Sequence, residues 1–302
     1  MRFGLLGALL LACAALGCGA RNDLGLAPEG QESQGPAEPR PGPGPPPPPV
    51  CDDTDRPITA VTNGREVYHI WPKDKQIESI GAFECDPLLL QSVNTMSLSR
   101  DGSMWANLVS VDEQTGTMRG LLQQVYLDTM TCGKTIVLPD AAWIVAMAFL
   151  RDEQGEEQLY IIGAITVDGD PSPVGLSRVD LETGELTTVG PPYEQPYLEL
   201  RGTGEGRLFA LFRTNPMTLT ELDVGTGALL SSYSLPGLVE PSSWALASWG
   251  GDFYIFTSPS SPGSPRLSRY QPTSGALELD YMTELPFGAV GADNPTCLDV
   301  DD

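Results

Sequence analysis

From residue 58 onward, short apolar runs alternate with polar turns that carry Gly, Asp or Asn. No segment holds an apolar period of 3.6, so the chain is predicted to be built from strands with almost no helix. Two patterns recur. The first is a strand, a polar turn and a second strand, as in "YHIWPKDKQIESIG", "LSRVDLETGELTTVG" and "LTELDVGTGALLSSY". Its turn positions are Lys75, Gly133, Gly184, Gly227 and Gly275, spaced by about fifty residues. The second is an apolar strand, a tight turn and an aromatic-rich strand, as in "MSLSRDGSMWANLV" and "LASWGGDFYIFT". The adjacent pairs Met104-Trp105, Leu159-Tyr160, Leu208-Phe209 and Phe253-Tyr254 repeat within it. Each unit therefore holds four short strands, which is the pattern of a propeller blade.

Lettering the strands a to d from the channel outward, four units are complete in sequence. The first has only c and d clearly, in "EVYHIW" and "IESIG", with Ile58 to Thr62 as its b strand. Its a strand is matched at the far end of the chain by "GAVGADNPT". The expected fold is an all-β, five-bladed β-propeller whose ring is closed by N- and C-terminal strands sharing one blade. Closure of this kind removes the exposed sheet edge of an open ring.

The first fifty residues are of another kind. Arg2 precedes an apolar run from Phe3 to Leu16. That run is too short to span a hydrocarbon core of about 30 Å, and its layout is that of a secretory signal. Ala15-Leu16-Gly17-Cys18 resembles a bacterial lipobox, which implies an acylated Cys18; Leu10-Leu11-Ala12-Cys13 is a weaker match that would truncate the apolar run. Several acyl chains on one cysteine hold a protein at a membrane where one chain does not. Ten of residues 19 to 50 are proline, ending in Pro45 to Pro49. This composition cannot repay ordering entropy with buried apolar surface, so an extended leash is expected. The chain thus divides into a signal at 1–17, a lipidated cysteine with a Pro-rich linker at 18–50, and a propeller domain at 51–302.

Composition narrows the function classes. Forty acidic against 17 basic residues give a net charge of −23, which opposes nucleic-acid binding. No phosphate-binding glycine loop is present. Four cysteines fall in the domain, and an exported chain favours two disulfides. Cys51 and Cys297 flank the place where the a–b turn of the shared blade would have been, so a Cys51–Cys297 bridge would replace the missing covalent link. Cys85 and Cys132 are left to pair. Ideal strand alternation puts those two on opposite faces of the ring, a geometry that the loop at 82–94 would have to bridge.

The layout resembles uncharacterised secreted or lipoprotein β-propeller proteins of the myxobacterial type. The resemblance covers roughly 65 to 300 and is carried by "SVNTMSLSRDGSMWANLV", "TMTCGKT", "LRGTGEGRLFALF" and "WALASWGGDFYIFT". It implies no substrate.

Candidate chemistry is sparse. His69 is the only histidine, so zinc and histidine-based catalysis would both depend on it. It sits on a predicted c strand, away from the channel. Glu199 and Asp293 are the acids expected on innermost strands, and a glycosidase would need two such carboxylates about 5–9.5 Å apart. Glu199 is read as a channel acid, solvated or paired to Arg201. Trp143, Tyr197, Trp244 and Phe287 begin the a strands and are expected around one channel opening as ligand-binding candidates. No cofactor is expected; Ca²⁺ is the cation to which Asp168 and Asp170 would be suited, with "DDTD" and "DVDD" as further acidic loops, although none matches an EF-hand. The expected protein is a monomeric, lipid-anchored protein of the cell envelope, at the outer membrane and facing the periplasm or the surface. Its propeller would act as a binding or scaffolding platform for an envelope protein or glycan. A glycan-active hydrolase or lyase is the alternative.

Overall fold

The computed structural model describes residues 54–85, 92–111, 118–138, 143–151, 156–167, 170–195, 197–238, 241–259 and 263–295, with backbone alone at 110–111, 118–119, 143, 164–167 and 170–174. The domain is a five-bladed β-propeller of four-stranded antiparallel blades. Blade 1 runs outward from β20 (Ala289–Asp293) through β1 (Ile58–Thr62) and β2 (Glu66–Trp71) to β3 (Gln76–Ala82). Blade 2 is β4 (Ser92–Leu98), β5 (Met104–Val111), β6 (Met118–Tyr126) and β7 (Thr131–Val137). Blade 3 is β8 (Trp143–Arg151), β9 (Glu157–Val167), β10 (Asp170–Val179) and β11 (Leu186–Thr188). Blade 4 is β12 (Leu198–Gly202), β13 (Leu208–Phe212), β14 (Met217–Leu222) and β15 (Leu229–Leu235). Blade 5 is β16 (Pro241–Trp249), β17 (Asp252–Pro259), β18 (Arg266–Gln271) and β19 (Ala276–Met282). No helix occurs among the described residues.

The core is divided into five apolar clusters, one between each pair of neighbouring blades. A strand's side chains alternate between its two faces, and both faces of a blade are covered. This accounts for the repeated dipeptides. Met104 faces the blade 1–2 cluster while Trp105 faces the blade 2–3 cluster. Leu208 and Phe209 divide likewise, as do Phe253 and Tyr254. An aromatic in each pair fills one interface and an apolar neighbour fills the other, so the b strands read as unbroken apolar runs.

Around the outer rim, the four c–d turns expected at Lys75, Gly184, Gly227 and Gly275 each place that residue at positive φ. The fifth differs. Its positive-φ residue is Met130, not Gly133, and Cys132 and Gly133 already belong to β7. That shift accompanies a correction to the disulfide geometry. Cys85 and Cys132 are bonded, with Cα atoms 5.7 Å apart. Strand twist accumulates to about 60–75° across four strands, so an outer strand runs around the ring more than along it. Its end therefore reaches the c–d corner of the next blade, which brings Cys85 and Cys132 to the same face of the ring. The same joint recurs elsewhere. The Tyr193 hydroxyl, beyond β11, donates to Gly227 O in blade 4 at 2.8 Å. Tyr281 of β19 donates through its hydroxyl to Pro72 O in blade 1 at 2.7 Å, and Lys75 Nζ donates back to Tyr281 O at 2.8 Å.

The terminal strands close the ring as the repeat implies. β1 and β20 pair antiparallel, with Thr59 opposite Asp293. Trp249 Nε1 donates to Arg56 O at 2.8 Å, so the segment leading into β1 lies beside the a–b turn of blade 5. Cys51 and Cys297 lie outside the described residues. At the inner seam, β20 and β4 approach so closely that a Cβ on Gly291 would lie 2.6 Å from Met96 N.

Gly291→Ala should therefore destabilise the domain by about 1–3 kcal/mol, the usual cost of overpacking. Gly64→Ala, whose Cβ would meet nothing closer than 3.6 Å, should stay within about 0.5 kcal/mol in the same denaturant titration. Equal midpoints for the two variants would contradict the close seam.

Candidate functional site

The channel mouth is built from the start of the innermost strands. Residues i, i+2 and i+4 share one face of a strand and descend in steps of about 6–7 Å. Along β12 this produces three levels. Tyr197, just before the strand, is half-exposed at the rim; Glu199 is buried one step down; Arg201 is buried below it. All five innermost strands or their leading residues contribute to a cavity of about 490 Å³ at this mouth, including Asn94, Val145, Tyr197, Glu199, Trp244 and Val290.

The lowest level is a closed polar layer. Arg201 forms a buried ion pair with Asp293 of β20. Its Nε donates to Ser248 Oγ of β16 at 2.9 Å and its Nη2 donates to Asn294 O at 2.5 Å. Asp293 accepts from Ser97 Oγ at 2.5 Å and from Leu98 N at 2.8 Å, both on β4. Ser97 Oγ in turn accepts from Phe149 N of β8 at 3.0 Å. These residues are almost wholly excluded from solvent, so the channel is shut beneath the cavity. Glu199 is not part of this layer: Arg201 is committed to Asp293, and Glu199 accepts instead from Thr95 Oγ1 at 3.2 Å. Burial pushes its pKa well above the usual carboxylate range, against the smaller opposing effect of the Thr95 hydrogen bond.

Above it stands Arg213, at the end of β13. Its backbone N donates to Tyr197 O at 2.9 Å. Its guanidinium lies 5.2 Å from the ring centre of Trp244 and 6.0 Å from that of Tyr197. Trp244 Nε1 is buried with no hydrogen-bond partner among the described residues. Arg213 was missed in the sequence because it follows a b strand rather than lying on an innermost one. An Arg directly after "LFALF" in the mouth turn was the available signal.

Of the aromatic candidates, Tyr197 and Trp244 meet at the cavity. Phe287 does not: it is buried, stacked on Tyr68 with ring centres 4.0 Å apart, because it fills the blade 1–5 interface. The side chain of Trp143 lies outside the described residues, as do Cys18, Asp168 and the side chain of Asp170. Asp293 is neutralised by Arg201 below the cavity, so Glu199 is the one carboxylate lining it among the described residues. His69 sits on β2, half-buried beside Trp71, and burial lowers its pKa despite Glu78 opposite. No cluster of three or more metal-ligand side chains is found among the described residues.

No family model matches the chain, and no curated protein does. Several solved structures are similar in fold. A protein of unknown function from Bacteroides caccae is 13% identical, with 74% of this chain and 71% of that chain covered at a TM-score of 0.40. A protein from Lactobacillus plantarum is 13% identical over 78% of this chain and 98% of its own, at a TM-score of 0.41. A chain of the mitotic checkpoint complex is 13% identical over 85% and 74%, at 0.38. Likeness at this level assigns no activity.

Because the raised pKa favours neutral Glu199 in the fold, its contribution to stability is complete below the ordinary value of 4.5 and is lost as pH rises toward the folded value. Glu199→Gln should thus be more stable than the parent at pH 8, and within about 0.5 kcal/mol of it near pH 4. Denaturant unfolding across that range checks this; parallel stability curves would contradict a buried, neutral carboxyl.

Proposed function

We propose that the protein is an exported lipoprotein, acylated at Cys18, whose propeller is a binding platform on the cell envelope. The observation that carries this reading is the cavity at one channel mouth, lined by Tyr197, Trp244 and Arg213 above a closed floor. The enzyme alternative is less well supported, since a two-carboxylate mechanism needs a second acid at the cavity and Asp293 is occupied by Arg201.

The envelope placement has a direct test. Mass spectrometry of the mature N-terminus should find an acylated Cys18; an unmodified start at Gly19 or Ala20 would contradict the anchor. For the platform, cross-linking from envelope extract should retain a partner with the parent chain. Trp244→Ala should reduce that capture at least several-fold, and equal capture would contradict a role for the cavity.

A further inference from the structure

Resting on the platform reading, we propose that the cavity is a subsite for an uncharged sugar ring, a neutral pyranose unit of a glycan. Its volume of about 490 Å³ lies within the range of small-molecule sites, with room for one ring and bridging waters. The charges at this mouth are already accounted for. Arg201 and Asp293 neutralise each other in the floor. Arg213 is partnered and lies near the rings of Trp244 and Tyr197, so it belongs to the wall. Glu199 is 6% exposed, and desolvation holds its carboxyl toward the neutral form. Blades 1, 2, 3 and 5 bring no titratable side chain to the cavity among the described residues.

What remains is a set of uncharged hydrogen-bonding groups. Thr95 Oγ1 donates to Glu199 Oε2 at 3.2 Å. The other oxygen, Oε1, has no partner among the described residues and is not sealed from solvent, so it faces the cavity that Glu199 lines. A neutral carboxyl can both donate and accept there. Two carboxamides extend the set. Asn63 gives its N–H to Val93 O at 3.3 Å, and Asn94 gives its N–H to Ile144 O at 2.6 Å. Each amide is anchored through nitrogen, which leaves its carbonyl oxygen as an acceptor at the cavity. Acceptors of this kind repel an anion and suit O–H donors. A cation would meet the standing charge of Arg213, and Glu199 would have to ionise out of water to receive it. Hydroxyls satisfy the carboxyl and both amides without any charge being buried. Tyr197, 47% exposed, and Trp244 add ring surface, and Val93 and Val290 add apolar wall. A pyranose carries hydroxyls around its edge and apolar C–H faces, and both find counterparts here.

Titration of the full chain in detergent at pH 6, followed by tryptophan fluorescence and calorimetry, tests the proposal. The probes are the methyl glycosides of glucose, galactose and mannose, each beside the uronate and the 2-amino sugar of the same configuration. At least one neutral glycoside should saturate the protein and bind about 10-fold more tightly than both of its charged counterparts. Its affinity should not change with ionic strength, since no charge pair forms. Asn94→Ala, at an exposed position, and Glu199→Leu should each weaken it several-fold. Affinity for the parent chain should fall as rising pH ionises Glu199, and Glu199→Gln, which keeps a donor and an acceptor, should bind at pH 6 and remove the fall. A uronate or amino sugar that binds as tightly as its neutral counterpart would overturn the neutral specificity. The same pH profile in parent and Glu199→Gln would overturn the role of the carboxyl. Absence of saturable binding by every neutral glycoside, with partner capture from envelope extract intact, would overturn the sugar subsite alone. Loss of both would overturn the platform reading as well.

Discussion

The ion pair between Arg201 and Asp293 is the constraint on which the ring depends. Both groups are buried at the channel axis. Taking two charges out of water costs several kcal/mol per ion, and the mutual attraction repays it only when the remaining donors and acceptors are satisfied. Here they are. Arg201 belongs to blade 4, and its partners lie on blades 1 and 5. Asp293 belongs to blade 1 and accepts from blade 2, while Ser97 of blade 2 accepts from blade 3. One connected network therefore reaches all five blades. It also addresses a problem inherent in the fold. The inner edge of every blade carries backbone N–H groups with no fifth strand to receive them. Leu98 N and Phe149 N are two such donors, and side chains of the network accept them.

The network does more than hold the centre. Asp293 lies on the strand supplied by the C-terminal end of the domain, directly opposite Thr59 on the strand supplied by the N-terminal end. The blade made from both ends of the domain is thus pinned at its inner edge by charge, over its face toward blade 5 by the Tyr68–Phe287–Phe256 aromatic group, and at its rim by Tyr281 and Lys75. Closing the channel at the Arg201 level also makes the space above it a cavity instead of a pore. What remains open is a mouth with Glu199 at its base and Arg213 at its wall.

Much of this architecture was legible in the sequence, because strand alternation and turn chemistry are local. The ends of β1 and the position of β20 could be read from the blade pattern alone. Three features could not. The turn of blade 2 puts Met130 at positive φ where a glycine three residues later was the better guess; tertiary packing overrides turn preference at that point. The pairing of Cys85 with Cys132 was legible by elimination and is present, but its geometry was not, because twist is a property of the whole sheet. Phe287 looked like a rim residue by its position before an a strand, but its ring points into an interface that only the folded ring creates. For the site, Glu199 and Arg201 alternate on one strand and so suggest each other as partners. The true partner of Arg201 is Asp293, whose carboxylate comes from the far end of the domain. No local pattern connects them.

The most direct test of this account is a double-mutant cycle on the axial pair, measured by denaturant unfolding. Asp293→Asn and Arg201→Met should each cost about 3–5 kcal/mol, because each strands a buried charge or its acceptors. The double variant should cost far less than the sum, since no unpaired charge remains. Single variants within about 0.5 kcal/mol of the parent, with additive effects, would show that the ring does not depend on this pair.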